Sequence, residues 1–127
     1  IENDNILISK ELIKGEIVLK FPGGGVEHGE GIIDALQREA QEELSQELEE
    51  ITHFYTTDFF QESSFRKSDQ LISIYYKAKL STFLLNKVNK PIQDQPLFIW
   101  KKIQELKKED LHFPIDKKVL EMLRESN

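Results

Sequence analysis

Residues 21–44 read FPGGGVEHGEGIIDALQREAQEEL, and this stretch decides how the rest of the chain is organised. Pro22 followed by Gly23, Gly24 and Gly25 ends the preceding β-rich run with a backbone free to take shapes closed to other residues. From Gly31 onward Ile33, Leu36, Ala40 and Leu44 recur three to four positions apart, the spacing of one helix face. Continuing that count would put Glu47 in the apolar stripe, so the helix is expected to stop near Ser45 or Gln46. Glu39, Glu42 and Glu43 stand at i, i+3 and i+4 and rise from adjoining turns on one side. Like charges so placed cost a few tenths of a kcal/mol per pair, about 0.2–0.5, and more in a cleft. A divalent cation relieves that cost; a fully solvated acidic face is the alternative.

Outward from this centre, Ile6 to Ile8 and Glu16 to Phe21 read as strands, with Lys14-Gly15 as punctuation between them. Ile1 to Ser9 reads as strand, turn and strand, so the first strand is expected to be incomplete. Beyond the helix, residues 51–60 and 71–80 are rich in aromatic and β-branched side chains and suggest a hairpin with a long polar tip over residues 61–70. Residues 86–95 form a polar loop, Leu97 to Trp100 a short strand, and Ile115 to Leu123 an amphipathic closing helix after Pro114.

At 127 residues the chain is long enough for one core and short for two domains, so a single domain is expected. A formal net charge of −6 argues against a nucleic acid polymer or an anionic membrane as partner, because both reward a basic surface. Small anionic substrates remain compatible where a cation screens the carboxylates. Cysteine is absent, which excludes disulfides, thiolate metal sites and a cysteine nucleophile. No apolar run approaches the length of a membrane span and no leader is recognisable, so a cytoplasmic location is the expectation.

The glycine loop and the acidic helix together resemble the Nudix box. Gly24 is followed after five residues by Glu30, and after seven more by Arg38-Glu39; Ala40 takes an aliphatic place and Glu42-Glu43 the acidic pair. The match covers residues 24–46 and breaks at its end, where Ser45 and Gln46 replace a glycine and an aliphatic residue. In the family pattern that glycine ends the helix in a left-handed conformation, where serine is less comfortable.

The resemblance implies an α+β fold, a Nudix-type α/β/α sandwich with a mixed β-sheet between helices. It implies a hydrolase that cleaves a diphosphate linkage in a nucleoside diphosphate derivative or nucleoside triphosphate. Glu39, Glu42 and Glu43 would bind Mg²⁺ or Mn²⁺, with the Gly23 carbonyl a further ligand, and Glu30 with Arg38 would form a supporting ion pair. The proton of the attacking water would pass to Glu39 or Glu42, or to a later loop, where Asp94 is nearest and Glu62 stands behind it. Arg66 and Lys67, beside Phe65 in the hairpin tip, are candidates for phosphate or base contacts, although solvated tip charges need no such role. Homodimers are common in the family, but nothing in the sequence marks an interface. Two other readings stay open: a module that keeps the fold and binds a ligand without catalysis, and an acidic scaffold whose helix face binds partners.

Overall fold

The computed structural model describes residues 1–63, 66–81 and 96–126. In chain order these form β1 (Asn5–Ile13), β2 (Glu16–Lys20), α1 (Ile32–Leu44), β3 (Leu48–Thr56), β4 (Ile74–Leu80), β5 (Leu97–Lys102), a single 3-10 turn (Lys108–Asp110) and α2 (Pro114–Glu125). The α+β architecture expected from the resemblance is present, with the described strands in two sheets, β2-β1-β5 and β3-β4. Each described ladder is antiparallel.

β1 runs on to Ile13, further than its apolar run Ile6 to Ile8, because pairing with β2 carries the polar Lys10 and Glu11 along. Ile13 faces Glu16, which leaves Lys14 and Gly15 as a two-residue turn with φ of 49° and 80°. Positive φ at both central residues belongs to the hairpin turn whose twist suits its strands, and a glycine second is the usual solution.

The β3–β4 hairpin differs from expectation at both ends: β3 starts at Leu48 rather than residue 51 and stops at Thr56, and β4 starts at Ile74 rather than residue 71. The Thr57 N–H donates to the Ser73 carbonyl (3.0 Å), but the Ser73 N–H donates to the Thr57 hydroxyl (3.0 Å). A side-chain oxygen thus replaces a ladder carbonyl and the regular ladder stops, leaving Phe60 and Ile72 exposed, although the Leu71 N–H still donates to the Gln61 carbonyl (2.8 Å) further along. β-propensity alone does not register such a stop.

The main core lies on one face of the three-stranded sheet. Ile6 and Ile8 of β1 pack with Ile103, Leu106 and Leu111 and with Ile115, Val119, Leu120 and Leu123 of α2. Pro114 opens α2 at a position where its missing N–H costs nothing. Each fully buried aliphatic side chain here contributes about 1.5–3 kcal/mol. An exposed pair such as Arg66–Asp69 contributes about 0–1 kcal/mol, so burial rather than charge holds the fold. The opposite sheet face carries Leu7, Ser9 and Val18, also buried. α1 buries Ala35 and Ala40 and half-buries Leu36 and Leu44, whereas Ile33, expected in the buried stripe, is exposed. Among the described residues no helix is long and apolar enough to cross a membrane.

Candidate active site

The site begins where β2 ends. The Phe21 N–H donates to Asp116 Oδ2 (3.3 Å), and the Tyr75 hydroxyl donates to Asp116 Oδ1 (2.6 Å), so an acid in the first turn of α2 anchors the entry to the glycine loop. Burial raises the pKa of that carboxyl, while the two hydrogen bonds and the charge of Lys20 oppose the rise.

Past Pro22 the backbone runs against the acidic helix. A Cβ at Gly24 would overlap the carboxylate of Glu39, so only glycine lets the loop and that side chain share this space. The loop then closes on itself between Glu27 and Glu30, with the Glu30 N–H donating to the Glu27 carbonyl (3.2 Å) and the Glu27 N–H donating to Glu30 Oε1 (2.7 Å). Gly29, at φ 91°, supplies the left-handed residue inside that turn. α1 follows, its first-turn Asp34 accepting from the Gly31 N–H (3.3 Å).

Arg38 ties these parts together. Its Nε and Nη2 donate to the two carboxylate oxygens of Glu30 (3.0 and 2.8 Å), Nη2 also donates to the Gly25 carbonyl (2.9 Å), and Nη1 donates to Glu39 Oε1 (3.0 Å) and Glu42 Oε2 (3.3 Å). A guanidinium has five N–H bonds, and each finds an acceptor here. The paired fork geometry is the strong form of this interaction. The Arg38 hydrogen bonds hold the Glu30 carboxyl down to about 2, with the Glu27 N–H adding to them, and Glu30 in turn raises the pKa of Arg38.

The three helix carboxylates have different surroundings. Glu39 is half-buried under the loop; Glu42 is exposed. Glu43 is exposed over the residue as a whole, yet its carboxyl end is crowded enough that burial pushes it up to about 7, helped by the charge of Glu39 and opposed by that of Lys20. Among the described residues no three acidic or imidazole groups converge closely enough to hold an ion, and Arg38 takes one oxygen each of Glu39 and Glu42. The donors nevertheless fit a hard divalent cation. They are all carboxylate oxygens on adjoining turns, and the crowding of Glu39 and Glu43 is of the kind a cation relieves.

Of the other predicted residues that are described, none is hydrogen-bonded to Arg38. Gly23 sits in the loop with open space where a side chain would be. The Arg66 side chain is 76% exposed and 3.5 Å from Asp69, and Lys67 is also exposed. Neither is bonded to a helix carboxylate among the described residues. Glu62 forms an isolated bridge with Gln70, and Asp94 and Phe65 lie outside the described residues.

Sequence reasoning missed three supports. Asp116 looked like any acid at a helix start. Gln37, which exchanges two hydrogen bonds with the backbone of Leu48 (2.9 and 2.8 Å), carries no local signal at all. The third is Lys20, paired with Glu11 (3.1 Å) across β1 and β2. The alternation of buried positions could have placed those two on the sheet face of Ser9 and Val18.

The NUDIX domain model matches residues 1–123. The crystal structure of the mutator MutT protein from Bacillus halodurans superposes with a TM-score of 0.71 over 95% of this chain and 74% of that one, at 19% identity, a likeness of fold. No curated protein matches. With the loop, the clamp and the acidic helix in the order of the box, and the family model spanning nearly its whole length, this chain belongs to the Nudix family.

Proposed function

We propose that this chain is a pyrophosphohydrolase, dependent on Mg²⁺ or Mn²⁺, that cleaves a diphosphate linkage in a nucleoside diphosphate derivative or a nucleoside triphosphate by attack of water at phosphorus. The observation that carries the reading is the Arg38 clamp, which fixes the glycine loop against α1 with the Glu39 carboxylate beneath Gly24. Such fixing matters because phosphoryl transfer is catalysed mainly by positioning and electrostatics.

Glu39, Glu42 and Glu43 hold the cation, with the Gly23 carbonyl as a further ligand. When bound, the cation supplies charge neutralisation at the phosphates and a more acidic water. Glu30 and Arg38 act as positioning residues. Glu39 or Glu42 accepts the proton of the attacking water, with Asp94 as the candidate from a later loop; whichever serves must lie within hydrogen-bond reach of that water. Arg66 and Lys67 contact phosphate or base from the hairpin tip. The net charge of −6 supports a small nucleotide, rather than a nucleic acid polymer, as the partner of a single soluble cytoplasmic domain.

The test is a panel of nucleoside triphosphates and nucleoside diphosphate derivatives incubated with Mg²⁺ or Mn²⁺ and read by product identity. The expected product is a nucleoside monophosphate, formed only with metal. Absence of turnover across the panel, or full activity in Glu43→Gln, overturns the reading.

A further inference from the structure

The geometry points to Lys20 as a phosphate-holding residue: we propose that its ammonium, fixed by Glu11 and Ser9 on the sheet, takes a phosphate oxygen of the diphosphate substrate opposite the acidic helix. This rests on the diphosphate chemistry proposed above.

The need for such a group is electrostatic. A diphosphate approaching α1 meets Glu27, Glu30, Glu39, Glu42 and Glu43, and Arg38, the cation within the box, has no N–H left to offer. Lys20 is the last residue of β2, directly before the Phe21-Pro22-Gly23-Gly24 loop. It pairs in register with Ser9 and so points to the same sheet face as Ser9 and Val18, away from the face on which Leu19 and Phe21 join the α2 core. The Ser9 hydroxyl, 1% exposed, donates to Glu11 Oε2 (2.8 Å), and the same oxygen holds Lys20 Nζ at 3.1 Å. Glu11 is therefore held in place, and through it the lysine.

Four residues beyond Lys20, Gly24 lies against the Glu39 carboxylate of α1, so the lysine leaves β2 at the loop end of the sheet, on the side away from α2, where the glycine loop meets the acidic helix. An ammonium carries three donors, and the pair with Glu11 uses one. The Lys20 side chain is 20% exposed, so it remains within reach of a ligand while much of its solvation is already lost. A charge-assisted hydrogen bond in such a place is worth about 10- to 100-fold in affinity.

Methylenediphosphonate, a diphosphate mimic that cannot be hydrolysed at its P–C–P link, is the probe, titrated calorimetrically with Mg²⁺ present. Lys20→Met is expected to weaken its binding about 10- to 100-fold, with Lys20→Arg restoring most of it. Lys10→Met, which removes the same charge from the other sheet face, should leave binding unchanged. Should Lys20→Met fail to fold, Lys20→Gln, which keeps a donor for Glu11, replaces it. Equal binding by wild type and the Lys20 variant, or equal weakening by Lys10→Met, overturns the assignment of Lys20 alone. Absence of Mg²⁺-dependent binding by the wild type overturns the diphosphate reading and this assignment with it.

Discussion

Gly24 lies so close over Glu39 that the smallest side chain would occupy the position of the Glu39 carboxylate. The obstructing atoms are the far end of a flexible side chain, so the fold can yield by turning Glu39 aside. Gly24→Ala is therefore expected to cost little stability, about 1 kcal/mol or less, while lowering turnover by roughly 100-fold through displacement of a carboxylate from the site. Denaturant unfolding and kinetics on one preparation check this. Equal losses in both would show that the close approach serves the fold rather than the site.

Ser45 ends α1 at φ 54°, its N–H donating to the Gln41 carbonyl (3.1 Å), while the Gln46 N–H reaches the Ala40 carbonyl (3.5 Å). This is the left-handed stop that the box normally gives to glycine, made here by a residue that is strained there. Ser45→Gly is expected to stabilise the protein by about 0.5–1 kcal/mol after the added freedom of the unfolded chain is counted. An unchanged or lowered unfolding midpoint would refute it.

Tyr55 buries its hydroxyl with no hydrogen-bond partner among the described residues. A buried, unmatched hydroxyl costs about 1–3 kcal/mol. Tyr55→Phe keeps the ring against Tyr75 and beneath Lys118 and should raise the thermal midpoint. A lower midpoint would mean that the hydroxyl has a partner.

The Glu30 carboxyl, held at about 2 by Arg38, titrates below its ordinary range in the folded protein. A depressed carboxylate stabilises the fold above its unfolded pKa, about 4.3, and that contribution is lost as pH falls through the folded value. The stability difference between wild type and Glu30→Gln should therefore be constant above about pH 5 and shrink toward pH 2. A difference that does not change with pH would mean that the ion pair contributes no linkage.

The acidic helix, its length, the glycine loop and the closing helix were all legible in the sequence, because each is marked by local spacing. So was the pairing of Glu30 with Arg38, through the family pattern rather than through the residues themselves. What local spacing could not carry was contact between distant parts. Asp116 meets Phe21 from 95 positions away, and the hydroxyl of Thr57 ends a ladder whose strand propensity continues beyond it. The buried stripe of α1 was misjudged at Ile33 for a related reason: which turn of a helix faces the interior depends on what the helix rests against. Gln46, which breaks the pattern of the box, is buried all the same, accepting from the Ser81 hydroxyl (3.4 Å).

The paired hydrogen bonds between Gln37 and Leu48 have a mechanical consequence. One edge of the Gln37 amide offers an N–H and the carbonyl oxygen side by side, much as a strand residue offers its N–H and C=O, so α1 in effect contributes a single rung to the start of β3. A slide of β3 by one residue would break both bonds at once and invert the faces of its side chains. The helix that bears the carboxylates thereby fixes where β3 begins relative to it, and a change in the pitch or position of α1 is passed to a strand that shares no part of the box.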